Sequence, residues 1–67
     1  MRALIIGAGN AGSRLAHMLY AENYEVVVLD QNAGALSELE NELDIMTVQG
    51  QGGDPKALEA AQVEQSD

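Results

Sequence analysis

The sequence contains no cysteine. Disulfide cross-links, thiolate nucleophiles and sulfur metal sites are thereby excluded, and the missing staple of small secreted folds points to a cytosolic setting. Basic residues are almost as scarce. Arg2, Arg14 and Lys56 stand far apart against 11 acids, for a formal net charge of -8. Sequence-independent binding to nucleic acid needs clustered bases to neutralise phosphates, so it is not expected here. Long apolar runs are missing too: the stretch Ala3–Ile6 falls far short of the roughly 20 residues of a spanning helix. Gly7 and Gly9 interrupt that stretch too early for a secretory signal, so the amino terminus is expected to belong to the fold. The chain itself is short, at 67 residues. A domain of that size buries only about 60% of the surface its unfolded form exposes, so its core is marginal without a partner.

What is present is strand-like and helix-like in alternation. Ala3-Leu4-Ile5-Ile6 and Val26-Val27-Val28-Leu29 are unbroken apolar runs, rich in β-branched residues and bounded by turn-formers. Such runs suit parallel strands covered on both faces. Ile45-Met46-Thr47-Val48-Gln49 is more mixed and reads as a third strand near a sheet edge. Between the first two runs, Ala11, Leu15, Met18 and Leu19 fall at helical spacings, predicting a helix over 11–22 that packs Leu15 and Leu19 on the sheet. Leu36, Leu39 and Leu43 predict a second helix, capped by Asn32. Asp54-Pro55 opens a third, carrying Leu58, Ala61 and Gln62.

The order strand-helix-strand-helix-strand-helix predicts an α/β, Rossmann-like parallel sheet with right-handed crossovers. With three strands where a doubly wound domain has five or six, residues 1–67 read as the first βαβαβα half of such a domain, strand order 3-2-1. The first strand would then keep an unpaired outer edge, an invitation to self-association.

Gly7-Ala8-Gly9-Asn10-Ala11-Gly12 is G-x-G-x-x-G, a pattern that is weak alone because glycine is common. Here it follows a predicted strand, opens a predicted helix and precedes Asp30 at the end of the second strand, the context a dinucleotide fold requires. Gly7 would allow a tight exit from the strand, Gly9 would let a diphosphate approach bare backbone, and Gly12 would let the helix lie close to the sheet. The free amides at the helix start would face the phosphates. These adjacent amides outweigh the net charge, because distant carboxylates are screened over about 8 Å at physiological salt. Asp30 would accept both adenosine ribose hydroxyls and repel a 2′-phosphate, so NADP is disfavoured. Gln31 beside it, counted in the candidate site, and Asn32 supply no compensating cation. The same ribose diol occurs in NAD, NADH, ATP and ADP, so this acid does not separate them.

The loop Gly50-Gln51-Gly52-Gly53 either passes beneath the adenosine or is a plain strand-to-helix turn, with Asp54 a helix cap. Arg14 is read as exposed, with phosphate contact the alternative, and His17 as a surface residue without a second metal ligand. Met18 and Met46 fit the core. Glu38, Glu40 and Glu42 read as a solvated helix face. No His, Lys, Tyr or Cys constellation suits hydride transfer, so no catalytic or metal-binding residue is assigned.

Four segments together carry a family resemblance: Ala3–Gly12, Val26–Asp30, Asp44–Gly50 and Asp54–Ala61. The first two are general Rossmann features and the last two are more specific. Over essentially its whole length the chain resembles the nucleotide-binding regulatory domain of Trk-type potassium uptake systems, the RCK or KTN domain. The resemblance implies a cytoplasmic regulator, not an enzyme, that binds NAD(H) or an adenine nucleotide. It also implies assembly with copies of itself beneath a membrane potassium channel or transporter. By position, Gly7, Gly9, Asn10 and Ala11 would cradle phosphates, Asp30 would hold the ribose, and Gly50 and Gln51 would border the adenosine. Gly52-Gly53 departs from relatives that carry alanine or a hydroxyl residue there. Two other readings stand beside it: a cofactor-binding fragment of an NAD-dependent oxidoreductase, and a glycine-rich α/β piece that binds nothing.

Overall fold

The computed structural model describes residues 1–51 together with Pro55 and Lys56. Five elements alternate along it: β1 (Arg2–Ile6), α1 (Asn10–Ala21), β2 (Glu25–Asp30), α2 (Ala33–Glu42) and β3 (Met46–Gln49). The strands are parallel and ordered β1-β2-β3, the 3-2-1 order read from the other edge, in a Rossmann-like βαβαβ arrangement. β2 is central, and its four apolar residues, Val26 to Leu29, are all buried. β1 lies at the edge of the described sheet. Ile5 is buried there, whereas Ile6 is 58% exposed, so β1 is covered on one face only at its carboxyl end. The predicted third helix is described only at Pro55 and Lys56, which are helical; Asp54, Leu58, Ala61 and Gln62 lie outside the described residues.

Alternation along the strands sorts side chains onto two faces. Ile5, Val26 and Val28 meet Ala8, Ala16, Leu36 and Leu39 in one core, with Leu19 and Leu43 packed against it, so α1 and α2 cover the same face. The second helix follows its leucine spacing. Its entry is fixed by Asn32, whose Oδ1 accepts the Gly34 and Ala35 N–H groups at 2.9 and 3.2 Å. Replacing that cap removes the partner of two first-turn amides. Asn32→Ala is expected to cost about 1 kcal/mol in a urea titration, and an unshifted midpoint would show that the cap contributes nothing.

The first helix seats differently from its leucine spacing. Ala16 is fully buried and Leu19 packs on the core, but Leu15 is 44% and Met18 60% exposed. The cause is the approach of α1 to β1. A Cβ at Gly12 would stand 1.9 Å from the Gly7 carbonyl oxygen and 3.7 Å from Ile5 Cγ2, so the helix rests on its smallest residues. Gly12, Ala16 and Leu19 share one face at i, i+4 and i+7, which turns Leu15 and Met18 onto the flank. Met46 is likewise 37% exposed on the short edge strand β3, so neither Met18 nor Met46 is a core residue.

His17 is exposed, as expected, yet its Nε2 lies 2.8 Å from Glu42 Oε1, linking α1 to α2. Glu40 accepts the Thr47 hydroxyl at 2.6 Å. Two of the three glutamates on α2 therefore tie it to neighbouring elements rather than only facing solvent.

Candidate nucleotide site

The carboxyl ends of the three parallel strands, where ligands bind in open α/β sheets, border an open cleft of about 430 Å³ lined by Ile6, Gly7, Leu29, Asp30, Gln31, Gly50 and Gln51. Two glycines extend the ladders into its floor. Gly7 N–H donates to the Leu29 carbonyl at 2.8 Å and Gly50 N–H to the Asp30 carbonyl at 3.0 Å, so the cleft sits on hydrogen-bonded backbone. Gly7 then leaves the strand at φ 108°, a conformation that L side chains rarely adopt.

The turn delivers the chain to α1 with its amides exposed. The first intrahelical bond runs from Ser13 N–H to the Gly9 carbonyl at 2.8 Å. The amides of Asn10, Ala11 and Gly12 precede it and have no carbonyl one turn back. Gly9 occupies the N-cap and has no side chain to satisfy them, and no acid stands in the first turn. α2, capped by Asn32, contrasts directly. At Gly9 the backbone is unstrained, at φ -72° and ψ -170°, and an added Cβ would meet nothing within 4 Å. Neither conformation nor packing requires glycine there, so the space beside it is free for an anion bound on the helix amides.

Asp30 joins this turn to the end of β2. Its Oδ2 accepts the Ala8 N–H at 2.6 Å and its Oδ1 the Asn32 N–H at 2.8 Å. The Ala8 amide, followed by that of Asn32, holds the carboxyl below its ordinary value against an opposing effect of burial, with a lesser contribution from the Gln31 amide. Because the folded value lies below the unfolded one, the stabilisation is complete above the ordinary carboxylate range and is lost as pH falls through the folded value. In thermal melts from pH 7 down to 3, wild type should therefore lose stability more steeply than Asp30→Asn. Parallel curves would show that the carboxylate does not hold the turn. Each carboxylate oxygen accepts one main-chain amide and retains acceptor capacity for a further donor, the arrangement a vicinal diol needs.

The cleft brings together Gly7, Asp30, Gln31, Gly50 and Gln51, whereas Gly9, Asn10 and Ala11 do not line it and stand at the N-cap and first turn of α1. Gln31 is exposed, and its carbonyl accepts the Gln49 side-chain amide at 3.3 Å, bracing the ends of β2 and β3. Gly12 supports the turn from beneath, and Arg14 is exposed and does not line the cleft. Gly52, Gly53 and Asp54 lie outside the described residues. Sequence reasoning missed the apolar floor of Ile6 and Leu29, and Ala8, whose contribution is a main-chain amide that no residue type announces. It also missed Ser13, whose hydroxyl donates to the Ala8 carbonyl at 3.2 Å. A hydroxyl one residue after the last glycine of the turn was the available signal.

A family model described as the TrkA-N domain matches residues 3–67. The chain belongs to the TrkA-N family. It is 42% identical over 67 residues to a Halomonas elongata protein named Trk system potassium uptake protein TrkA, covering all of this chain and 15% of the relative. A Vibrio alginolyticus protein of the same name is 36% identical with the same coverage. A Pyrococcus abyssi protein named as a TrkA homolog is 30% identical over 67 residues, covering 30% of the relative. The chain thus spans about 15% of the length of the first two relatives. Among the described residues, no helix of this TrkA-N chain is long and apolar enough to cross a membrane.

Proposed function

We propose that this TrkA-N chain forms the nucleotide-holding half of a Rossmann domain, over residues 1–67, and that it regulates a membrane potassium channel or transporter by binding NAD(H) or an adenine nucleotide, ATP or ADP. The observation that carries the reading is the bond of Asp30 to the Ala8 amide, in a turn that leads into an uncapped helix start with unfilled space at Gly9. The amides of Gly9, Asn10 and Ala11 take the diphosphate, Asp30 takes the ribose diol, and Gly50, Gln51 and Gln31 border the adenosine. The names of the relatives support potassium uptake over the oxidoreductase reading, and the role is regulatory rather than catalytic. Regulation follows if the assembly has two conformations with different affinity for the nucleotide, since a ligand shifts an equilibrium only by that difference. The chain works in the cytoplasm as a homo-oligomer, peripheral to the membrane through its transporter partner.

Calorimetric titration of wild type with NADH and NADPH tests the ribose assignment. NADH should bind at least about tenfold more tightly, because a 2′-phosphate meets the Asp30 carboxylate without a cation to offset it. Equal affinities would overturn the assignment. Comparing cofactors on one protein is cleaner than Asp30→Ala, because that substitution also releases the Ala8 amide.

A further inference from the structure

Ala8 is pinned on both sides. The peptide before it is held through its N–H, which donates to Asp30 Oδ2 at 2.6 Å, and the peptide after it through its carbonyl, which accepts the Ser13 hydroxyl at 3.2 Å. The Ala8 side chain is buried in the core, so its Cα is fixed as well. In a planar trans peptide the carbonyl and the following N–H point in opposite directions. Holding the Ala8 carbonyl toward Ser13 therefore holds the Gly9 N–H away from it, at the one glycine of the turn where unfilled space and an unstrained backbone coincide.

We infer that Ser13 is a positioning residue for the diphosphate: its hydroxyl fixes the plane of the Ala8–Gly9 peptide and so aims the Gly9 amide. The inference rests on the nucleotide reading above. Ser13 touches the loop rather than the ligand, and it acts through one hydrogen bond. Asp30 sets the other peptide, so ribose recognition and phosphate recognition meet at Ala8. A hydroxyl that only stabilised the helix would affect every ligand alike. A hydroxyl that aims one amide affects only ligands that carry phosphate.

The test uses ADP and adenosine as probes, titrated by nuclear magnetic resonance into wild type, Ser13→Ala and Ser13→Thr. Ser13→Ala should weaken ADP about 3- to 10-fold, the range of one hydrogen bond, and change adenosine by less than about twofold. Ser13→Thr, which keeps the hydroxyl, should restore ADP affinity. Without ligand, the Ala8 amide, which is bonded to Asp30, should exchange with solvent faster in Ser13→Ala than in wild type. Unchanged ADP affinity in Ser13→Ala, equal losses for ADP and adenosine, or unchanged amide exchange would each overturn the inference while leaving the nucleotide reading intact. A wild type that binds neither probe nor NADH would overturn both.

Discussion

Gly12→Ala should cost the chain about 3 kcal/mol of stability, a large fraction of what a domain of this size has. The new Cβ would lie 1.9 Å from the Gly7 carbonyl oxygen and 2.9 Å from its carbonyl carbon, both backbone atoms. Gly7 cannot retreat cheaply, because its N–H is bonded to Leu29 at 2.8 Å and its φ is already 108°. α1 must lift instead, and lifting it opens the contact of the fully buried Ala16 with the sheet. Overpacking of a tight core costs about 1–3 kcal/mol, and an overlap with rigid backbone belongs at the upper end. A domain of this size has roughly 3–10 kcal/mol to lose. Far-UV circular dichroism with a urea titration reads the effect. A variant as stable as wild type would mean that helix and strand do not approach as closely as described.

Gly9→Ala should do the opposite, sparing the fold and removing the binding. Its φ and ψ are open to alanine, and the added Cβ meets nothing within 4 Å, so stability should hold or rise by about 0.4–1 kcal/mol through a less flexible unfolded chain. The methyl group, however, takes the space against the amides that the proposed function assigns to the diphosphate. Losing one or more hydrogen bonds to a charged group costs about 1.5–3 kcal/mol, or roughly 10- to 150-fold in affinity for NADH or ADP. Undiminished binding at wild-type stability would place the phosphates elsewhere. The two glycines, three residues apart, thus divide the turn into a structural half and a ligand half.

Much of this was legible in the sequence for a physical reason: β-branched runs can be satisfied only as covered strands, and a glycine turn between such a run and a helix has few other geometries. Asn32 as a cap, Leu36 and Leu39 as core and Asp30 at the end of β2 follow from local rules. The seating of α1 did not, because large apolar residues mark a packing face in sequence, whereas here Gly12 and Ala16 make the contact and Leu15 and Met18 are left on the flank. Contacts between residues far apart in the chain were equally unreadable. Glu42 lies 25 positions from His17 and Asp30 22 positions from Ala8, and in the second case one partner is a bare amide. That amide links the two halves of the proposed site, and only the fold brings it to the carboxylate.

The most direct test is to titrate NADH into isotope-labelled protein and map the backbone amide shifts. The proposed site predicts saturable shifts largest at Gly9, Asn10 and Ala11, with a second group at Asp30, Gln31, Gly50 and Gln51, and little change at Arg2, Glu25 and Asp44 at the opposite end of the strands. Saturable shifts centred on that opposite end, or no saturation at millimolar NADH, would contradict it.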